Sequence, residues 1–148
     1  MTRKMHKGDA STEPDSSEDE RFLSDEWSSE NGASIDITIV AASWDAPLID
    51  NLKARGPAML DLIAARLTID PQRVSLLLCN DKDMCAINQT HRGVYKATNV
   101  LSFPADYEMQ RAGDMPADEV TIGDIAIAAE TVIRESNEAG IAAGDHLL

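Results

Sequence analysis

The stretch RVSLLLCN, residues 73–80, constrains the architecture most. It is a continuous apolar run bounded by Asp70–Pro71 on one side and Asn80–Asp81 on the other. A run this short, with turn residues at both ends, suits a strand buried on both faces rather than one half exposed to water. Such a strand needs cover on each side, so the rest of the chain must supply helices and neighbouring strands.

The flanking segments supply them. Ile35, Ile37 and Ile39 alternate with Asp36 and Thr38, the period of a half-buried strand. Leu48, Ile49, Leu52, Met59, Leu60, Leu62, Ile63 and Leu67 recur at helical spacing, and Gly56–Pro57 is expected to kink or restart that helix. DKDMCAINQTHRG reads as a helix with acid at its start, Met84 and Ile87 inward and Gly93 at its end. TNVLSFP predicts a third strand, residues 105–119 a loop, VTIGDIAIA a fourth strand, and AAETVIRESNEAG a helix ended by Gly140. Asp145 then reads as the N-cap of a further helix whose body is missing, since only three residues follow it. The expected fold is α+β, α/β-like, with a small mixed four-stranded sheet, helices packed on it and the last helix missing.

Ahead of this domain, residues 1–34 are rich in Ser, Asp and Glu and lack a burial pattern, which predicts a disordered acidic tail. Phe22, Leu23 and Trp27 offer the alternative of a short amphipathic turn that docks. The domain proper is then 35–148. The net charge of −13 divides into −5 for the tail and −8 for the remainder. Such a surface repels nucleic acid at long range, so an RNA ligand needs a locally basic cleft. There is no apolar run of about 18 residues for a membrane span and no secretory signal pattern, so a cytoplasmic location is expected. Cys79 and Cys85 then read as free thiols rather than a disulfide.

A basic cluster does exist. His91, Arg92 and Lys96 fall within six positions, immediately before an apolar strand that ends in Pro104. A guanidinium can grip phosphate oxygens through two parallel hydrogen bonds, where Lys offers a point charge. The alternative is that Arg92 and Lys96 answer the helix dipole and solvate the surface.

The segment INQTHRGVYKATNVLSFP, followed by IGDIAIAAETV, resembles the YbeY-type rRNA maturation endoribonucleases. The matching residues are Asn88, Arg92, Gly93 and Thr98 to Pro104, then Gly123, Asp124 and Ile125. The resemblance covers roughly residues 35–148. It implies a single-strand-specific zinc endoribonuclease acting in rRNA maturation and ribosome quality control, with ribosomal RNA and the ribosome as partners. It also implies that Arg92 binds the scissile phosphate and serves catalysis, and that Lys96 helps to hold the RNA. Ser102 and Thr98 either orient phosphate groups or satisfy strand ends locally, and Asp124 reads as capping a turn.

Relatives of this type enter a long helix carrying H-G-x-L-H-x-x-G-x-D-H, whose three histidines hold zinc. No H-x-x-x-H occurs here, and those ligands are expected beyond Leu148. A zinc site needs three protein ligands, so His146 reads as a surface or packing residue, His91 as packing or RNA contact, and His6 as part of the tail. No cofactor is expected for this chain, which is expected to be inactive, of marginal stability and prone to self-associate. Two other functions stay open: a non-catalytic domain that binds RNA or a ribosomal protein, and a metalloprotease-like hydrolase, for which the glutamate of H-E-x-x-H is lacking.

Overall fold

A computed structural model describes residues 23–106 and 120–148. In chain order the elements are β1 (Leu23–Ser28), β2 (Ser34–Ile39), α1 (Ala46–Leu67), β3 (Arg73–Cys79), α2 (Asp81–Arg92), β4 (Val100–Pro104), β5 (Gly123–Ala128), α3 (Ala129–Ala139) and α4 (Ala143–His146). The strands form one five-stranded sheet in the order β1-β2-β3-β5-β4. The inner pairs β2/β3 and β3/β5 are parallel, and the edge strands β1 and β4 run antiparallel to their neighbours.

The α+β class and the mixed sheet are as expected, with one strand more. The added strand is β1, which lies inside the segment read as a disordered tail. Its burial pattern explains why composition hid it: of LSDEWS only Trp27 is buried, so an edge strand with a single apolar anchor shows no alternation. The Trp27 indole N–H donates to Asp25 at 3.0 Å, and the Lys53 ammonium lies 3.2 Å from that carboxylate and 6.0 Å from the ring. Arg73 of β3 grips Asp36 of β2 through two bonds of 2.7 Å and reaches Glu26 of β1 at 3.0 Å, tying three strands together. Residues 1–22, the rest of that segment, lie outside the described residues, as does most of the loop expected at 105–119.

As RVSLLLCN implies, β3 is central; one face is buried along the strand, and the other is buried at Cys79 and half-buried at Arg73, Ser75 and Leu77. Leu76 and Leu78 pack with Ile35, Ile37, Ile39, Trp44, Leu48 and Leu52 under α1, where Ile127 and Val132 join them. Cys79 packs on the other face with Met84 of α2, Leu101, Ala126 and Ala128. Each large aliphatic chain buried here contributes roughly 1.5–3 kcal/mol of transfer free energy. Trp44 adds a polar tie, its indole N–H donating to the Cys79 carbonyl at 2.9 Å.

Two local expectations are corrected. The helix over residues 46–67 is a single one despite Pro57, which is buried within it. Pro57 lacks a backbone N–H and so forgoes one bond of the ladder. Its neighbour Gly56 brings the helix close to β2: a Cβ there would sit 2.8 Å from the end of the Ile35 side chain. Asp145, expected as an N-cap, is not one. Helix α4 starts from Ala142, whose carbonyl accepts from Asp145 and His146, while the Asp145 carboxylate meets Arg55 of α1 at 2.7 Å.

Candidate nucleic-acid interface

Helix α2 and the loop after it hold Arg92 and Lys96. The helix starts on Asn80, whose side chain accepts from the Asp83 N–H at 2.7 Å, and carries Asp81 and Asp83 in its first turn. His91 and Arg92 occupy the last turn, where cations suit the helix dipole. Gly93 then turns left-handed at φ 71°, donating to the Gln89 carbonyl at 3.0 Å, a conformation that glycine adopts without steric cost.

Buried Asn88 folds the next residues back. Its side-chain amide donates to the Lys96 carbonyl at 2.7 Å, and Lys96 N–H donates to Val94 at 3.1 Å. His91 anchors the end of the helix from the other side, its ring 4.6 Å from that of Phe103 on β4. The backbone of residues 91–96 is thereby held at both ends, while the Arg92 and Lys96 side chains reach into solvent. Neither cationic group has a hydrogen bond or ion pair among the described residues.

Asn99 closes the loop. Its carbonyl accepts from Ala128 at 2.9 Å, and its side-chain amide donates to the Glu135 carboxylate at 2.9 Å. The same Glu135 oxygen meets the His146 ring at 3.2 Å. Hydrogen bonds from His146 and then Asn99 hold the Glu135 carboxyl below its ordinary pKa. Thr98 turns inward, its hydroxyl 3.4 Å from the Asn99 side-chain oxygen.

Other residues singled out in the sequence fall elsewhere. Ser102 projects from the face of β4 opposite Leu101 and Phe103, into an apolar groove of about 240 Å³ that Val100, Leu60 and Leu147 also line. Asp124 makes no capping hydrogen bond among the described residues: it is an exposed residue of β5 opposite Phe103, beside a shallow depression lined by Asp36, Thr38 and Ser75. Cys79 is a buried free thiol, which burial pushes up to about 12, and Cys85 is free and half-buried.

The described residues also bear on the zinc that the family pattern implies. They contain no group of three or more His, Cys, Asp or Glu residues placed to hold a metal ion. His91 packs against Phe103 with the two rings tilted by 50°, and His146 is committed to Glu135. The residues described therefore do not fit a zinc centre, and no chemical step is assigned to one.

Sequence reasoning gave no role to Asn88, Asn99 and Glu135. Asn88 had a signal, a polar residue four positions after Met84 and next to Ile87 on the inward face of α2. Glu135 had none, being 36 positions from Asn99.

Comparison with known proteins bears on the class. The family model of endoribonuclease YbeY matches residues 42–148. Proteins named endoribonuclease YbeY include one from Bartonella quintana, 37% identical over 76% of this chain and 69% of its own length. Another, from Allorhizobium ampelinum, is 38% identical over 76% of this chain and 68% of its own. The one from Rhodospirillum rubrum is 44% identical over 52% of this chain, a match that spans only 38% of that relative. A solution structure of TM1509 from Thermotoga maritima aligns with a TM-score of 0.48 at 22% identity, over 75% of this chain and 63% of that one.

The class that the family model and the named relatives define is that of the endoribonucleases. Within it, the chain belongs to the YbeY family, which the match over residues 42–148 shows.

Proposed function

We propose that the loop between α2 and β4 is the phosphate-gripping part of an endoribonuclease that acts on single-stranded regions of ribosomal RNA during its maturation. The observation that carries this reading is the pair of unengaged cations, Arg92 and Lys96, on a backbone pinned by Asn88 and His91. Pinning lowers the entropy lost on binding, and a guanidinium with no internal partner is available for two phosphate oxygens at once. In phosphodiester hydrolysis the phosphoryl oxygens gain charge in the transition state, and Arg92 is the residue placed to stabilise it. Lys96 holds the neighbouring backbone by charge alone. The names of the relatives support the reaction class.

Among the described residues no ligand set could activate a water on a metal, and the same proposal holds that the chain binds RNA through this loop without cutting it and takes up no stoichiometric zinc. Metal analysis finding one tightly held zinc per chain, or RNA cleavage by the purified chain, would overturn this.

The test of the main reading is RNA binding followed by fluorescence anisotropy. Arg92→Ala is expected to weaken binding about tenfold or more, as loss of a charge-assisted, bidentate contact of roughly 1.5–3 kcal/mol implies. Arg92→Lys should recover only part of it. Unchanged affinity in Arg92→Ala would remove the loop from the interface.

A further inference from the structure

Between the two cations stands a residue that neither the fold nor the phosphate contacts require. Tyr95 is 69% exposed, the most exposed large apolar side chain among the described residues, and its neighbour Val94 is 51% exposed. The Tyr95 hydroxyl has no partner among the described residues. An aromatic ring held in water beside the domain contributes nothing to the core and leaves its apolar face free to take up a flat ligand.

Its surroundings narrow the ligand. Arg92 and Lys96 lie on either side of Tyr95 in a chain of net charge −13, and their Cα atoms are at most about 14 Å apart, given the reach of an extended chain. An acidic protein partner would use the cations and leave the ring idle. A strand of unpaired nucleotides uses both: its phosphates meet Arg92 and Lys96, and a base lays its face on the ring. In a duplex that base is stacked inside and out of reach.

We infer that Tyr95 is a base-stacking platform, and that it makes this loop select single-stranded over double-stranded RNA. The inference rests on the proposed phosphate role of the same loop and names the residue that would give it the strand preference proposed there. The bonds from the Asn88 side-chain amide to the Lys96 carbonyl and from the Gly93 N–H to the Gln89 carbonyl hold the ring's segment in place before RNA arrives, so little ordering is required on contact.

The experiment compares the full chain with Tyr95→Ala, Tyr95→Phe and Arg92→Ala, binding a labelled single-stranded oligoribonucleotide and the blunt duplex of the same sequence. Stacking on an aromatic side chain contributes roughly 1–3 kcal/mol per base, so Tyr95→Ala should weaken single-strand binding roughly 5- to 150-fold. Duplex binding should stay within about twofold of the parent, and Tyr95→Phe, which keeps the ring face, should match the parent on both ligands. Arg92→Ala should weaken both. Equal loss on strand and duplex, no loss in Tyr95→Ala, or loss of the same size in Tyr95→Phe would each overturn the stacking role. Failure of the phosphate reading is separate: there, Arg92→Ala leaves both affinities unchanged. Because Tyr95 is so exposed, the substitutions should leave the thermal midpoint in place; a lowered midpoint would count against the assignment by showing that the ring supports the fold.

Discussion

Glu135 shows how one side chain links distant parts of the chain. Through a single carboxylate oxygen it joins Asn99, at the start of β4, to His146, in α4. Both partners favour the charged form, so its folded-state pKa lies below the ordinary value of 4.5. A depressed carboxylate contributes stability that is present above the unfolded value and lost as pH falls through the folded one. Acid should therefore loosen the Asn99 turn. Urea midpoints measured across the range below pH 4.5 should fall less steeply in Glu135→Gln than in the parent; parallel curves would show that the group contributes nothing. Single residues were also where sequence reading was weakest. Arg92 and Lys96 stood out because cations are scarce in this chain, whereas Glu135 is one acid among many and its partners are set by tertiary structure alone.

Helices α2 and α3 begin side by side and cap one another. The Asp81 carboxylate accepts from both the N–H (3.1 Å) and the hydroxyl (2.7 Å) of Thr131, while Glu130 of α3 accepts from the Asp81 N–H at 2.9 Å. Helix α3 has no cap of its own, since Ala128 precedes it. The arrangement is a capping box split between two helices. Asp81→Ala should cost about 1 kcal/mol, within the 0.5–2 kcal/mol of a lost N-cap, and lower the urea midpoint accordingly; an unchanged midpoint would mean that water replaces the bond freely. Elements with strong periodicity, such as β2, β3 and α2, were legible from the sequence because burial imposes their pattern. Those that depend on a single anchor or on a distant partner were not. Trp27 is the one buried side chain of β1, the close contact of Gly56 accompanies an unbroken α1, and the salt bridge with Arg55 draws Asp145 away from a capping role.

For the molecule as a whole, charge and topology dominate. With a net charge of −13 the chain repels RNA at long range, so the proposed binding has to draw on the local charge of Arg92 and Lys96. Counterion release then makes the salt dependence a count of contacts: log affinity should fall with log salt at a slope of about −1.4 for two phosphates on a single strand, and of about −0.7 once Arg92 is replaced by Ala. A slope near zero in the parent would deny the electrostatic role. The α+β class was legible because a strand apolar on both faces admits few settings. No helix among the described residues is long and apolar enough to cross a membrane. The order of strands in the sheet was not legible, since no local pattern says that β5 lies between β3 and β4.

That insertion has a consequence during synthesis. When β4 has left the ribosome, neither it nor the free side of β3 has a partner, because the strand that joins them is made later. About 50 residues separate the end of β3 from the end of β5, so at about 5–20 residues per second the nascent sheet stays open for roughly 2.5–10 seconds. During that interval Leu76, Leu77 and Leu78 lie along a strand paired only on its β2 side, the kind of edge that other chains can join. The sheet of the newborn protein is therefore open at its centre, and it closes from the middle once Ala128 has left the ribosome.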